Sequence, residues 1–476
     1  MLTVASMYNR YFYIDDCWHG EEAFWLASEG KVKTKTMEGI LGFEESTMVY
    51  HKLNIILGAG VIKVFGWSAF NLKMFTFLVY LLFFYLLYRF LRIFSNNYPD
   101  KNYYLFSVLL IFTSPLMIYL SFTYRPEILV MLLGFASYFS LEEYFSSDKK
   151  KPLLISGIFG GLAFFTHLQG MIFPIAGFIL LLFHRRFKGL VLFSVASVLS
   201  CSLYTFDLWQ GNNFEIFVYQ ITNWPTLELG QTYFDNSILN FVGKKFNNLL
   251  NEHQRFFWSE KVVVFSVMFI FSLIYKFRLL ITQYRSLLIY TLTLIIALSL
   301  TGSHIAERFL IYYLPFMALI VSIALVSLLN TTRHYFAKLL FVLLIIAQFG
   351  FGAYRFTDIF SRNADFPAIH QEVLGIIPDK DPKILAPDEF VFNEIENYSL
   401  LSYHALKYYQ DMAHTDFGQE IILKRAEEIG TDYIVLDQAI MSDDHYKWFT
   451  NGKIYDNPYY EYYGEVQDYV LLKRKN

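Results

Sequence analysis

The sequence has little charge, few cysteines and no recognisable nucleotide-binding or metal-binding pattern. Only 17% of its 476 residues are charged, whereas soluble domains carry about 25%, so much of the chain must avoid water. Its two cysteines, Cys17 and Cys201, have no metal spacing, and Cys201 lies in an apolar run as a small packing residue, which argues against a disulfide framework. No glycine loop typical of nucleotide binding occurs in the polar C-terminal part.

Apolar residues are abundant, at 55% of the chain, and they fall into ten runs near the length of a bilayer. The runs are Leu72–Phe94, Tyr103–Phe122, Ile128–Phe145, Leu153–Phe165, Met171–Phe183, Leu190–Tyr204, Val262–Tyr275, Leu287–Leu300, Phe309–Leu329 and Leu339–Phe351. Gly157, Gly160 and Gly161 in the fourth run are typical of helices that pack closely. The sequence therefore predicts a polytopic α-helical membrane protein of about ten spans.

Basic residues predict the orientation of these spans. Alternate connections carry Lys or Arg: Arg89 and Arg92; Lys149, Lys150 and Lys151; Arg185, Arg186 and Lys188; Lys276, Arg278 and Arg285; Arg333 and Lys338. The short intervening connections hold only Arg125 and Arg308. The positive-inside rule assigns the basic set to the cytoplasm, so we expect the N-terminal loop, residues 207–261 and the tail from Tyr354 to lie outside.

The tail differs from the rest of the chain in charge and pattern. Residues 354–476 hold 12 Lys and Arg against 22 Asp and Glu, a charge of −10 that leaves +7 for the remainder of a chain with −3. Two short apolar runs predict strands at Lys383–Ala386 and Tyr433–Leu436, and Glu420–Ile429 has helical periodicity before Gly430. The stretch 459–473 alternates around Gly464, as in a hairpin. We expect three regions: a first outer loop with interfacial helices (1–70), a helical bundle with a large outer loop at 207–261 (71–353), and a small extracytoplasmic α/β domain (354–476).

The stretch from Tyr13 to Glu22 concentrates Asp15, Asp16, Glu21, Glu22 and a histidine in one loop of the N-terminal region. Unpaired carboxylates cannot lie in hydrocarbon, so this loop must face water or serve a function.

Other polar residues are predicted on the same side, most of them directly beside span ends, and His51 and Lys52 just before an apolar segment predicted to lie on the membrane surface. They are His51, Lys52, Arg125, Glu127, His167, His304 and Arg308. Ordinary loop polarity explains charges outside, and Pro126 with Glu127 makes a good helix start, but neither explains Arg125 or the position of Arg308. Carboxylates beside cations suit a reaction that joins a base to an anionic leaving group.

Several segments together resemble GT-C type membrane glycosyltransferases, in particular the protein mannosyltransferase and aminoarabinose transferase-like superfamily that uses polyprenyl-phosphate sugars. The resembling segments are Ile14–Asp16 with Glu21–Ala27, His51–Gly66, Tyr124–Glu127, Gly161–His167 and Glu307–Pro315. The acidic pair is Asp-Asp where the family has Asp-Glu, and the family's Pro-Pro after the lysine is absent. The family also has a first helix before the acidic loop, so the resemblance implies an additional helix upstream of Met1; the alternative is a short translocated N-terminal tail.

The resemblance implies sugar transfer from a polyprenyl-phosphate donor to a glycan, lipid or protein acceptor on the outer face, in a bacterial plasma membrane, with inversion. Asp15 would be the general base, and Asp16 or Glu127 would orient the base or the acceptor. Candidate ligands of the donor phosphate are Lys52, Arg125, Arg308 and His304, and further candidates near the acceptor are Glu21, His51 and His167. No cofactor, metal or nucleic-acid partner is expected.

Two other functions fit parts of the pattern. A flippase or transporter would place ionisable residues near the middle of its spans and often contain inverted repeats, whereas almost none of the runs has a central charge. An inactive subunit of an envelope complex is the third possibility. Trp209, Trp224 and Trp258 in or beside the large outer loop could stack on sugar rings or anchor the chain at the interface.

Overall fold

The structure is a computed structural model, which describes residues 2–6, 9–10, 12, 14–98, 100–224, 238–302, 305–331, 334–361, 366–406, 408, 419–441, 449–450, 453–454 and 457–475. Most of these residues are helical. The helices are α1 (Leu2–Ala5), α2 (Ile14–Glu29), α3 (Lys52–Phe65), α4 (Ala69–Ile93), α5 (Asn102–Phe112), α6 (Pro115–Leu120), α7 (Glu127–Ser147), α8 (Lys150–Thr166), α9 (Ile172–Phe183), α10 (Phe187–Cys201), α11 (Asn213–Asn223), α12 (Ile238–Asn251), α13 (His253–Phe257), α14 (Val263–Gln283), α15 (Arg285–Thr301), α16 (Leu314–Leu329), α17 (Tyr335–Phe360), α18 (Phe366–Gly375), α19 (Phe390–Glu394), α20 (Gln419–Glu428) and α21 (Gln438–Met441).

Each of the ten apolar runs contains a helix, and five helices among the described residues are long and apolar enough to cross a membrane. These five are Ala69–Ile93, Glu127–Ser147, Phe187–Thr205, Val263–Gln283 and Tyr335–Phe360. The second run is not one helix as predicted, because it breaks between Phe112 and Pro115. Pro115 lacks the N–H that would continue the hydrogen-bond ladder, so it begins a new helix.

The helical bundle is built around α16, in which nearly every side chain is buried. Helices α8 and α10 approach so closely that a Cβ on Gly157 would lie 2.8 Å from the carbonyl oxygen of Phe193. A Cβ on Gly161 would likewise collide with the side chain of Ser200. The close packing predicted from these glycines is therefore present.

The C-terminal part forms a five-stranded mixed sheet of order β2-β1-β3-β7-β6, in which β1 pairs with β2 and β3 in parallel and the other pairs are antiparallel. The strands are β1 (Lys383–Ala386), β2 (Ser399–Ser402), β3 (Tyr433–Leu436), β6 (Tyr460–Val466) and β7 (Tyr469–Arg474), and a separate two-stranded pair is β4 (Phe449–Thr450) and β5 (Lys453–Ile454).

The two predicted strands and the predicted helix of the tail are confirmed, and Gly430, with φ of +75°, follows that helix. The hairpin is present, but its turn lies at Gln467 and Asp468, not at Gly464. Gly464 instead lies at a register shift in β6, where one extra residue is accommodated.

Helix α2 lies between the bundle and the C-terminal sheet domain. The segment around Asp15, predicted as a loop, is helical from Ile14 onward. On one side of α2, Gly20 faces the ring of Phe392 in α19, and that ring also stacks on Trp67 with centroids 5.3 Å apart. The sheet domain also contacts the segment after α2 through Lys383, whose Nζ lies 2.7 Å from Glu38. Both regions of the chain therefore fix the position of α2.

Candidate active site

A cavity of about 670 Å³ lies where α2 meets one end of the helical bundle. Its wall includes α2, the ends of several bundle helices, α12 and Tyr408 of the C-terminal region. Six candidates from the sequence line it together: Asp15, His51, Arg125, Glu127, His167 and Arg308. The volume is within the range of about 300–1,000 Å³ found for small-molecule sites.

Helix α2 presents only one of its faces to the cavity. Asp15, His19 and Glu22 all line it, and their spacing of four and three residues places them on the same side of a helix. Asp16 and Glu21 do not line the cavity, and both are fully buried elsewhere. Of the two adjacent aspartates, Asp15 is therefore the one in position to meet a ligand.

Arg125 connects the carboxylates at this wall. Its Nη1 donates to Asp15, and its Nη2 lies 2.8 Å from Glu127 Oε1. Arg125 Nε adds contacts of 3.2 and 3.3 Å to the two Glu127 oxygens. Arg308 Nε lies 3.5 Å from the same Glu127 carboxylate. Two carboxylates and two guanidinium groups thus form one cluster.

The charges in this cluster stabilise one another. Burial raises the pKa of Asp15, but Arg125, His19 and Arg308 outweigh that effect and hold the pKa well below its usual range. Burial likewise lowers the pKa of Arg125, and the charges of Glu127 and Asp15 raise it well above its usual value. Asp15 is therefore a carboxylate and Arg125 a cation across the physiological pH range.

Three histidines pack together beside the cluster. The rings of His51 and His167 stack with centroids 4.5 Å apart, and His19 meets His51 edge-on at 4.6 Å. Burial lowers the pKa of His51 well below its usual value, and the nearby cations Arg125 and Arg308 lower it further. Burial also lowers the pKa of His167 to about 4. His51 and His167 are therefore neutral at pH 7, and His167 accepts the Gln169 N–H at 3.0 Å through Nδ1.

Lys52 lies behind the cavity wall. It is fully buried and pairs with Asp207, which also accepts the Tyr50 hydroxyl at 2.6 Å. The ammonium group is surrounded by the rings of Tyr50, Tyr204 and Phe206. Tyr50 and Tyr204 line the cavity, whereas Lys52 does not. The structure therefore joins Lys52 to the residues that support the wall.

Glu21 is enclosed by hydrogen-bond donors. Trp25 Nε1 donates to it at 3.0 Å, the backbone N–H of Thr36 donates at 3.2 Å, and the Thr36 hydroxyl also donates. Burial raises the pKa of Glu21 to about 7 against the effect of these hydrogen bonds. His304, another candidate from the sequence, lies outside the described residues.

Sequence reasoning missed several residues of the cavity. They are Trp18, Phe43, Gln169, Lys244, Lys245 and Tyr408, whereas His19 and Glu22 were noted in the acidic stretch without an assigned role. Helical spacing from Asp15 would have found the three on α2. The two lysines are on α12, the strongly amphipathic helix Ile238–Asn251 within the large loop, and that pattern was a usable signal. Among the described residues, no three His, Cys, Asp or Glu side chains are grouped so as to hold a metal ion.

Comparison with known proteins shows similarity in sequence and in fold. Residues 56–206 match the family described as dolichyl-phosphate-mannose-protein mannosyltransferase. The chain is similar in structure to ArnT from Cupriavidus metallidurans bound to undecaprenyl phosphate, with a TM-score of 0.60 and 12% identity over 99% of this chain and 95% of that chain. The apo state of that protein gives a TM-score of 0.60 with 11% identity over the same shares. No curated protein matches the sequence significantly.

These similarities confirm two predictions. The resemblance to the GT-C type superfamily of protein mannosyltransferases and ArnT-like proteins is confirmed by the family match together with the structural similarity. The polytopic helical membrane fold with a small C-terminal sheet domain is confirmed as well. The chain is an integral membrane protein.

Proposed function

We propose that this chain, which has the fold of GT-C type glycosyltransferases, transfers a sugar from a polyprenyl-phosphate donor to an acceptor hydroxyl with inversion. The observation that carries the proposal is the single cluster of Asp15, Arg125, Glu127 and Arg308 on the wall of one cavity. Two similarities support a polyprenyl-phosphate donor. The description of the family that residues 56–206 match names dolichyl-phosphate-mannose, and ArnT was crystallised with undecaprenyl phosphate bound.

Arg125 and Arg308 are the proposed ligands of the donor phosphate. A guanidinium group presents several N–H donors in a plane and suits phosphate oxygens. Lys244 and Lys245 line the same cavity, so its described residues include four cations against three carboxylates, namely Asp15, Glu22 and Glu127. That balance favours an anionic ligand and stabilises the negative charge that develops on the departing phosphate. Lys52 is held by Asp207 outside the cavity, so we do not assign it to the phosphate.

Asp15 is the proposed general base. It removes the proton of the acceptor hydroxyl while the oxygen attacks the anomeric carbon, and the bond from that carbon to the phosphate oxygen breaks as the polyprenyl phosphate leaves with the electron pair. Without donor, Arg125 lowers the basicity of Asp15. A bound phosphate would share the Arg125 charge, so the pKa of Asp15 would rise when the proton must be taken.

The other proposed roles follow from contact with this cluster. Glu127 orients Arg125 and, through it, the base, whereas Asp16 is buried on another side of α2. Neutral His51 and His167 offer hydrogen bonds to the acceptor or the donor sugar. The basic connections of the sequence support a cavity that opens on the outer side of a bacterial plasma membrane.

The test is transfer from a radiolabelled polyprenyl-phosphate sugar by the purified full-length chain in lipid nanodiscs. Asp15→Asn keeps the size of the side chain and removes the base, so we expect the transfer rate to fall by about 10²–10⁴-fold. The matched control is Asp148→Asn, which changes an exposed aspartate at the other end of α7 that pairs with Arg186. A parental rate for Asp15→Asn would refute the assignment, and movement of the donor across the bilayer without any product would favour the flippase.

A further inference from the structure

Part of the cavity wall is an aromatic surface. Trp18, Phe43, Trp224 and Tyr408 all line the cavity. Their rings form a continuous surface: Trp18 and Tyr408 have centroids 5.5 Å apart, Tyr408 and Trp224 are 5.0 Å apart, and Trp224 and Phe43 are 5.4 Å apart. The four side chains come from α2, from the segment before α3, from the end of α11 and from the C-terminal region. Four separate parts of the chain thus converge on this surface.

Two buried polar atoms on residues of the cavity wall have no hydrogen-bond partner among the described residues. The Trp18 side chain is only 8% exposed, and its Nε1–H is one of them. The carbonyl oxygen Oε1 of Gln169 is the other. A buried polar group without a partner is costly, so such groups are normally satisfied. Both atoms belong to residues of the cavity wall, where a bound ligand could satisfy them.

The ligand that fits must have an apolar face and hydroxyl groups at its edge. Aromatic rings carry negative faces that attract C–H groups, which suits the C–H face of a sugar ring. A hydroxyl can accept from an indole N–H and donate to an amide oxygen. Resting on the proposed function, we propose that the acceptor is a saccharide, and that Trp18, Trp224, Tyr408 and Gln169 bind it.

The position of this surface agrees with the chemistry. Trp18 follows Asp15 by three residues on α2, and residues three apart lie on the same side of a helix. A saccharide that contacts Trp18 would therefore bring a hydroxyl toward the Asp15 carboxylate. Glu22 lies one turn further along α2 and offers that saccharide another polar contact. Its Oε2 lies 3.5 Å from His19 Nδ1.

A peptide or a hydrocarbon acceptor fits this aromatic surface less well. Extended peptides are commonly bound by adding a strand to a sheet edge, and none of the described residues that line the cavity belongs to a strand. A hydrocarbon chain would leave Trp18 Nε1 and Gln169 Oε1 unsatisfied. Of the three tryptophans that the sequence suggested for sugar stacking, Trp224 lines the cavity, whereas Trp209 and Trp258 are 76% and 72% exposed and do not line it.

The first experiment measures binding without catalysis. Saturation-transfer NMR on the full-length chain in nanodiscs would use methyl glycosides of common hexoses and N-acetylhexosamines as probes, and a serine/threonine-rich peptide as the competitor class. We expect at least one glycoside to bind, and Trp224→Ala to weaken its binding at least ten-fold. Trp18→Phe keeps an aromatic ring and removes the N–H, and we expect it to weaken binding several-fold. Trp258→Ala is the matched control and should bind as the parent does.

The second experiment measures the reaction with the same variants. We expect Trp224→Ala to raise KM for the glycoside acceptor about ten-fold and Trp18→Phe to raise it several-fold, and both to leave KM for the donor unchanged. The proposal is overturned if no glycoside binds, if the tryptophan variants bind like the parent, or if the peptide is the one accepted. Failure of the proposed function has a different signature: either the parent forms no product with any acceptor, or Asp15→Asn transfers sugar at the parental rate.

Discussion

Arg125 and Glu127 are two residues apart, and their buried side chains form a two-point ion pair in which Arg125 Nη2 lies 2.8 Å from Glu127 Oε1. Pro126 between them has φ of −71° and leads into the first turn of α7. This turn directs both side chains to the same wall, and it leaves Arg125 Nη1 to donate to Asp15. The local sequence Arg-Pro-Glu therefore fixes the cation that faces the proposed base.

We expect Arg125→Lys to abolish most transfer. A lysine keeps the charge but cannot contact two carboxylates in one plane, and loss of such electrostatic preorganisation typically costs about 10²–10³-fold in kcat. Steady-state transfer kinetics measure kcat, and thermal unfolding of the same variant measures any change in stability. Arg186→Lys is the control, because its exposed pair with Asp148, at 3.3 Å, should contribute only about 0–1 kcal/mol. Parental kcat in Arg125→Lys would contradict this role.

Glu127→Gln tests the other half of the pair. Removing the Glu127 charge leaves the buried Arg125 paired with Asp15, so the cost is below the ~3–5 kcal/mol of a fully uncompensated buried charge. We expect a lower unfolding temperature and a slower transfer rate, since Arg125 would keep only its contact to Asp15. The ligand-free thermal unfolding temperature is the measurement, and an unchanged temperature would show that the pair does not hold this turn.

The elements predicted best from the sequence are those whose signal is local. Lys383–Ala386 and Tyr433–Leu436 are short apolar runs that pair inside the sheet, as their composition indicates. The position of the hairpin turn was predicted wrongly because a glycine that interrupts alternation fits a turn and a bulge equally well. The hydrophobicity of the second apolar run does not reveal that it forms two helices. The position of Pro115 was the signal for the break.

Glu21 gives a pH-dependent prediction. Its folded pKa of about 7 lies above the ordinary value of 4.5, so the folded state holds a proton that the unfolded state loses. The stability from this group is present below about pH 4.5 and is lost as the pH rises to about 7, which amounts to about 3 kcal/mol. Glu21→Gln can keep an acceptor for Trp25 and donate to the Thr36 hydroxyl.

We therefore expect Glu21→Gln to unfold at a higher temperature than the parent at pH 8 and at the same temperature at pH 4.5. Thermal unfolding monitored by intrinsic fluorescence at both pH values is the measurement. Transfer activity should be retained, since Glu21 does not line the cavity. An equal difference at both pH values would show that Glu21 does not titrate in this range.

Part of the site could be predicted because helix ends on one side of a membrane meet in space. The alternation of basic connections put Arg125, His167 and Arg308 on one side, and all three line the cavity. Lys52 and Asp207, in contrast, are 155 residues apart and pair only in three dimensions. Asp16 and Glu21 were included because the segment was treated as a loop, where every side chain can reach a ligand; a helix presents only one face.

The Lys52–Asp207 pair predicts a rescue. Lys52→Met leaves the mostly buried Asp207 carboxylate without its cation. This should lower the free energy of unfolding by about 3–5 kcal/mol. Lys52→Met with Asp207→Asn should recover much of that loss, because an asparagine can still accept from the Tyr50 hydroxyl. Thermal unfolding of the three variants measures the cycle. The double variant should have the same KM for the donor as the parent. A ten-fold rise in that KM would instead indicate that Lys52 binds the donor phosphate.

Two glycines of α3 separate a packing effect from a backbone effect. A Cβ on Gly58 would lie 1.8 Å from the Tyr124 hydroxyl and 3.2 Å from Ala23 of α2, whereas a Cβ on Gly60 would meet nothing within 4 Å. Replacing a glycine by alanine inside a helix stabilises it by about 0.5–1 kcal/mol when there is space. Gly60→Ala should therefore raise the unfolding temperature slightly and leave transfer unchanged. Gly58→Ala should lower both the unfolding temperature and the transfer rate. Tyr124 precedes Arg125, and Ala23 lies on α2 with Asp15, so we expect the added methyl group to displace both partners of the Asp15–Arg125 ion pair. Equal behaviour of the two variants would show that the contact between α2 and α3 does not position the base.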